Sequence, residues 1–171
     1  MRDEVAELLR SVLSDAGLEV TEIDDHRVMT MLSGEWKRTI PVLFDLDERS
    51  LKVSSLFSGA PDEGHEAVYR VLLQRNQRSG PVHFALDDEG DLVLLGSLPL
   101  DAVDEQRLDG LLGALLSVAD ETFNQVLRTG FASYLAAEQR WRAKVGLAPN
   151  PVGTPVPPEG AADGAAEDAP S

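Results

Sequence analysis

The sequence contains no cysteine. That absence removes disulfide staples, thiolate metal sites and cysteine nucleophiles together, so the fold must hold by packing alone. Aromatic residues are scarce at 5%, with two tryptophans among them. Basic residues are outnumbered: 15 Lys and Arg face 30 Asp and Glu, for a net charge of −15. A surface this negative repels phosphate backbones, and nucleic-acid binding would need a local basic stripe. The basic clusters present are short, Lys37-Arg38 and Arg140 with Arg142 and Lys144, and they read as a solvated turn and a helix end. No apolar run approaches the ~20 residues that cross a bilayer. Met1-Arg2-Asp3-Glu4 opens an amphipathic pattern rather than an apolar stretch, which argues against a secretory signal. The expected location is the cytoplasm, with neither membrane nor nucleic acid as partner.

What is present suffices for a core. Hydrophobic residues make up 43% of 171 positions, which fits one domain and an appendage. The stretch after Val145 holds Glu159, Asp163, Glu167 and Asp168 and no Lys or Arg, so the residues before it carry −11. The acidity therefore belongs to the domain itself. Beyond Gly146 a Pro-rich segment passes into an Ala/Gly/acidic run. Such composition cannot offset its ordering entropy. The predicted organisation is a domain over 1–146 and a disordered tail over 147–171.

Within the domain the hydrophobic period changes repeatedly. Val5, Leu8, Leu9, Val12 and Leu13 lay an apolar stripe along a helix over about 3–16. Period-two runs follow at 18–23, 27–32, 39–46 and 51–57, separated by turn clusters. In the third run Ile40, Val42, Phe44 and Leu46 face one way, and Thr39, Pro41 and Asp45 the other. Pro41 cannot donate to a ladder, so that strand is expected at an edge or at a bulge. Short connections imply an antiparallel meander. A second helix is expected from Pro61-Asp62-Glu63 to about Arg78. Two strands, 82–86 and 91–98, then meet at a tight Asp87-Asp88-Glu89-Gly90 turn. Leu92-Val93-Leu94-Leu95 is apolar on both faces, so it should be central and covered twice, or covered by a helix and by a partner. A long helix follows, capped by Asp101 or Asp104. Gly110, Gly113 and Gly130 each suggest close approach or a bend, with a break expected near Gly130. Strands grouped between helices make an α+β fold with an antiparallel sheet.

Motif chemistry is missing. His26, His65 and His83 share no ligand spacing. Asp87 to Asp91 superficially resembles a calcium loop but lacks the alternating ligands and the terminal Glu, so a hairpin turn accounts for it better. There is no nucleophile elbow, Walker loop or dinucleotide fingerprint. No catalytic residue, cofactor or metal ligand is assigned. Two aromatics stand out: Trp36 beside the Ser33-Gly34-Glu35 turn, and Trp141 between Arg140 and Arg142. Tryptophan is enriched at binding hot spots, although each could simply close one end of the core with its N–H in water. They are the candidate protein-interaction residues.

Val-Leu-Leu-Gln-Arg-Asn (71–76), the hairpin Val-His-Phe-Ala-Leu-Asp-Asp-Glu-Gly-Asp-Leu-Val-Leu (82–94), and Ala-Asp-Glu-Thr-Phe-Asn (119–124) with Gly-Phe (130–131) resemble the YbjN-domain family. Arg-Trp-Arg from 140 before a Pro-rich acidic end is similar to its actinobacterial members. The likeness covers about residues 3–145. It implies the fold of type III secretion chaperones: a helix, a curved antiparallel sheet and flanking helices. Such chaperones bind extended segments of client proteins and often dimerise, so the resemblance implies a protein partner and a homodimer. It brings no catalytic residues with it. The expected function is a non-enzymatic, chaperone-like or regulatory interaction module. The alternatives are a small-ligand binder or enzyme whose site forms no motif, and an acidic partner for a basic surface.

Overall fold

The computed structural model describes residues 1–152. Its elements are α1 (Arg2–Asp15), β1 (Thr21–Glu22), β2 (Arg27–Leu32), β3 (Ile40–Leu46), β4 (Ser50–Ser58), α2 (His65–Asn76), β5 (Val82–Leu86), β6 (Leu92–Pro99), α3 (Glu105–Gly130) and α4 (Ala132–Val145). The strands form one antiparallel six-stranded sheet in the order β1-β2-β3-β4-β6-β5. This is the expected α+β architecture, with the chain leaving the meander after β4 and returning through α2 and β5 to place β6 beside it.

Alternation along the strands builds one core. Val28, Phe44, Val53, Gly96 and Val82 are register partners across the sheet, and they share the face on which Leu32, Ile40, Leu51, Phe57, Phe84 and Leu94 are also buried. The helices supply the opposing layer: Leu9, Val12 and Leu13 from α1, Val68 and Leu72 from α2, and Leu108, Leu111, Leu115, Ala119 and Val126 from α3. Their spacings of three and four keep each stripe on one side of its helix. Phe57 stands edge-on to Phe84 and to Phe123, at 5.1 and 5.9 Å between centroids, a geometry that adds about 0.5–1.5 kcal/mol per pair to area burial.

Several boundaries differ from the sequence expectation for identifiable reasons. The run at 18–23 forms only the two-residue β1: the Thr30 hydroxyl takes the Glu19 carbonyl, while Leu18 and Val20 turn in to pack against the core. β3 is an interior strand, not an edge. Its ladder with β4 begins only at Leu43, so Pro41 has a neighbour on one side and its missing N–H breaks no ladder there. A bulge does occur, but in β4, between Leu56 and Ser58. The second helix starts at His65 because the Asp62 and Glu63 N–H groups donate to the Gly130 carbonyl, at 2.9 and 3.1 Å. Gly110 and Gly113 lie on the solvent side of α3 with open space around them, and the helix continues unbroken past both. Gly130 does end it.

The α3–α4 junction is tightly built. A Cβ at Gly130 would come within 2.9 Å of Val68 Cγ2 and 3.1 Å of Pro61 Cβ. Glu63 caps α4 from across the junction: the Ser133 N–H donates to its Oε1 at 2.6 Å. That bond and one from the Ser133 hydroxyl hold the Glu63 carboxyl below the usual range. At the far end Gly146 closes α4 in the left-handed region, and residues 147–152 turn back along it. Asn150 bonds both ways with Gln139, at 2.8 and 3.1 Å. The remainder of the predicted tail lies outside the described residues.

Candidate interaction surface

The helical layer covers one face of the sheet. On the other, the register Met29–Leu43–Ser54–Leu95–His83 crosses from β2 to β5. Met31–Pro41 and Leu56–Val93–Ala85 flank it. Met31 and Leu56 are 48% and 49% exposed, and Met29, Leu43, Val93 and Leu95 are half-buried. The buried side chains of the helices all belong to the core on the opposite face. β6 is thus covered once: Leu92 and Leu94 face the helices, Val93 and Leu95 face out. Both methionines after Met1 lie on this open face, where unbranched, polarizable side chains adapt to varied partners. Toward the far end of the same face the row Arg27–Asp45–Lys52–Ser97 is polar. Lys52 also reaches Asp47 at 2.7 Å, and with the Arg49 and Ser50 N–H groups it holds that carboxyl far below the usual range.

The two sheet edges are closed by different means. β1 is two residues long and exposed, and Glu22 within it pairs with Arg10 of α1 at 2.7 Å. β5 is five residues long and contains no Asp, Glu, Lys or Arg. Its outward backbone is nevertheless occupied. The Phe84 N–H donates to Asn76 Oδ1 at 2.7 Å, and Asn76 Nδ2 donates to the Phe84 carbonyl at 3.1 Å. Ser79 donates to the Val82 carbonyl at 2.5 Å. The side-chain amide of Asn76 therefore stands where a neighbouring strand would stand. Beside it Tyr69, Leu72, Leu73, Phe84, Ala85 and Leu86 line an apolar cleft of about 250 Å³.

Of the two candidate residues, Trp36 is held near the core by its backbone. The N–H groups of Glu35, Trp36 and Lys37 all donate to the Asp120 carboxylate, at 3.1, 2.7 and 2.8 Å. Gly34 allows the approach, since a Cβ there would sit 2.2 Å from Asp120 Oδ1. Next in sequence, the Lys37 ammonium lies 4.9 Å from the Phe123 ring centre and 5.9 Å from that of Phe57. Burial lowers its pKa. Trp141 lies on α4, a helix with no buried side chain, and is exposed. The structure does not bring the two tryptophans into one site.

The histidines are also scattered, at a turn (His26), at the start of α2 (His65) and on β5 (His83), all exposed. Among the described residues one trio of acidic side chains could converge on a cation, Asp87, Glu89 and Asp91, with carboxylate oxygens within 4.8 Å of one another. Those oxygens already serve the hairpin turn. Asp87 Oδ1 accepts the Glu89 and Asp91 N–H groups, and Asp91 Oδ1 accepts that of Ala60. No helix among the described residues is long and apolar enough to cross a membrane.

The open face matches the second expectation for Leu92-Val93-Leu94-Leu95 in that helices cover only one side of this strand among the described residues; Leu43, between Pro41 and Asp45 on the outward side of β3, was a further signal. Asn76 and Asp120 fall within recognised segments, yet their roles depend on contacts across the fold.

Comparison with known proteins agrees with this architecture. An uncharacterized protein of Mycobacterium tuberculosis is 41% identical over 115 residues, 67% of this chain and 63% of that relative. One of Mycobacterium leprae is 37% identical over 120 residues, 70% of this chain and 65% of the relative. The chain thus spans somewhat less than two thirds of the length of these curated relatives. Two solved structures share the fold at a TM-score of 0.52. The HopA1–SchA chaperone–effector complex is 16% identical, covering 67% of this chain and 88% of the other. The ExsC–ExsE complex is 19% identical, covering 71% and 92%. The model of the YbjN family, described as "putative bacterial sensory transduction regulator", matches residues 6–128. Since that span takes in the whole sheet and most of the three helices packed on it, the chain belongs to the YbjN family.

Proposed function

We propose that this chain is a non-enzymatic interaction module, chaperone-like or regulatory, that binds an extended apolar segment of a partner protein across the open face of its sheet. The observation that carries the reading is the uncovered group Met29, Met31, Leu43, Leu56, Val93 and Leu95. Full burial of one such side chain contributes about 1.5–3 kcal/mol. Covering the exposed halves of several gives a partner ample driving force. The capped edges support a face over an edge: a strand added to β5 would have to displace Asn76 first. The two complexes that share the fold each hold a protein partner by their names, which supports the same role here.

A photo-crosslinking side chain placed at Met31 or Leu56 in the source cell, with Ser11 on the outer side of α1 as control, tests the proposal. Discrete polypeptide adducts are expected from the first two sites, lost when Leu43→Lys is added. Equal adducts from Ser11, or none from the face, would refute it. An adduct to a second copy of the chain would identify the partner as itself, as in a homodimer.

A further inference from the structure

Charge is unevenly placed around the open face. Its middle rows, Met29–Leu43–Ser54–Leu95–His83 and Leu56–Val93–Ala85 with Met31 and Pro41 beside them, contain no Asp, Glu, Lys or Arg. The acidity lies at the two ends. Residues 24–27 and 45–52 form one end and hold five Asp and Glu against three Arg and Lys, a balance of −2. There Arg27 is held by Asp24 at 2.6 Å and Lys52 by Asp47 at 2.7 Å. Asp45 stands between those cations in the register row. It is half-buried and has no ion pair of its own among the described residues.

The other end is the β5–β6 hairpin, where Asp87, Asp88, Glu89 and Asp91 have no cation among them. The carboxylate oxygens of Asp87, Glu89 and Asp91 lie within 4.8 Å of one another. None of the three has an ion pair among the described residues. In the neighbouring β2–β3 loop Glu35 is set against Lys37 and Arg38, so this end sums to −3, and the Lys37 ammonium lies over the Phe57 and Phe123 rings. Asp45 is two residues past Leu43, and Asp91 is two before Val93. That spacing is about 7 Å along a strand, within the screening length of ~8 Å at physiological salt. Both ends therefore act on whatever lies on the apolar rows.

We propose that the segment taken up by the open face is an apolar run flanked at both ends by lysine or arginine, one flank seated by Asp45 and the other by the carboxylates of the β5–β6 hairpin. The inference rests on the proposed function and names the chemistry of its partner. Apolar burial drives binding whatever the flanks are, while charges at the rim set choice of partner and rate of encounter. A segment with acidic flanks meets like charge at both ends, and one with basic flanks finds a carboxylate at each. The same rim repels the phosphates of nucleic acids. From Asp45 to the hairpin is three rows along the strands and two to three strands across, roughly 20 Å by 12 Å, or about seven extended residues. That length sets the distance between the basic flanks.

Sedimentation velocity comes first: a dimer that Leu56→Ser dissociates would put a second copy on the face and overturn the inference. Three fluorescent peptides are then titrated into the full chain. They share a core of about seven residues, Leu or Val alternating with Ser, and differ in carrying Lys, Gln or Glu pairs at both ends. The expected order of affinity is Lys, then Gln, then Glu. Asp45→Asn and Glu89→Gln are each expected to weaken the Lys peptide about two- to fivefold, an effect that high salt removes, and to leave the Gln peptide as it was. Asp109→Asn, on the exposed side of α3, changes net charge equally and is expected to alter none of the three. Leu56→Ser is expected to weaken all three with an unchanged circular dichroism spectrum. Equal binding of the Lys and Gln peptides, or an equal effect from Asp109→Asn, would overturn this inference and leave the proposed function standing. No binding, or binding indifferent to Leu56→Ser, would overturn both.

Discussion

The two edges of the sheet meet the same hazard with opposite means. Any edge strand offers unpaired N–H and C=O groups to other chains. At β1 the strand is cut to two residues and marked with charge, Glu22 paired to Arg10. At β5 a longer, nearly uncharged strand is kept and its outward groups are filled from within by Asn76 and Ser79. One edge is made unattractive and the other is made unavailable. Charge works at a distance and weakens with salt, while a side-chain plug works at contact and does not. With both edges closed, the face between them is the part of the sheet left for a partner.

The largest expected effect comes from removing the plug. Asn76→Ala strips two hydrogen bonds from the Phe84 backbone, and leaving such groups unsatisfied costs about 1–3 kcal/mol. Urea unfolding should show that loss. Analytical ultracentrifugation should show new self-association that persists at high salt. If the variant associates no more than the wild type, β5 is protected by something other than Asn76. Asn76→Asp sharpens the point. It still accepts from the Phe84 N–H, but its second oxygen then faces the Phe84 carbonyl, acceptor against acceptor, so a loss of the same order is expected, about 1–3 kcal/mol.

The charged edge should respond less. Glu22→Ala removes an exposed pair worth about 0.2–1 kcal/mol, and the difference from wild type should vanish in high salt. Hydrogen bonding from Arg10 lowers the Glu22 pKa below 4.5. Its stabilising contribution is therefore present above that value and fades as pH falls through the lowered one, a trend absent in the variant. The smallest shift should come from Lys37, whose pKa burial lowers from 10.5. The folded chain then releases its proton before the unfolded chain does, so stability rises with pH between the two values. Lys37→Met should abolish that rise. If it persists in the variant, another group carries it; if the wild type shows none, the contact with the Phe57 and Phe123 rings outweighs the burial.

The sequence announced those elements whose stripes are set locally. The period of α1 and the alternation of β3 follow from neighbours a few residues apart, and the glycine itself marked the break at 130. The boundaries of β1 and α2 did not, because a Thr30 hydroxyl and a Gly130 carbonyl from distant segments decide them. The interior place of β3 was hidden for the same reason: a proline reports on its own N–H, not on which strands lie beyond it. Of the two candidate tryptophans, Trp141 is exposed on α4, away from the sheet face, whereas Trp36 is anchored through Asp120, a residue 84 positions away. The doubly apolar run of β6 hinted at an open face, but which side stays open is hidden until the side that carries the helices is known.

The return of β6 to lie beside β4 bears on synthesis of the chain. Ser50 pairs with Pro99 and Ser58 with Leu92, so the longest strand gains its second neighbour only after α2 and β5 have been made. A nascent chain that has reached Ala60 holds the residues of β1 to β4 but not of β6, so one edge of β4, nine residues long, has no neighbour to pair with. Non-local pairing of this kind is slow to form, and exposed strand edges on incomplete chains are prone to aggregate. The interval between translating Ser58 and Pro99 is thus the period in which the growing chain is most in need of shelter.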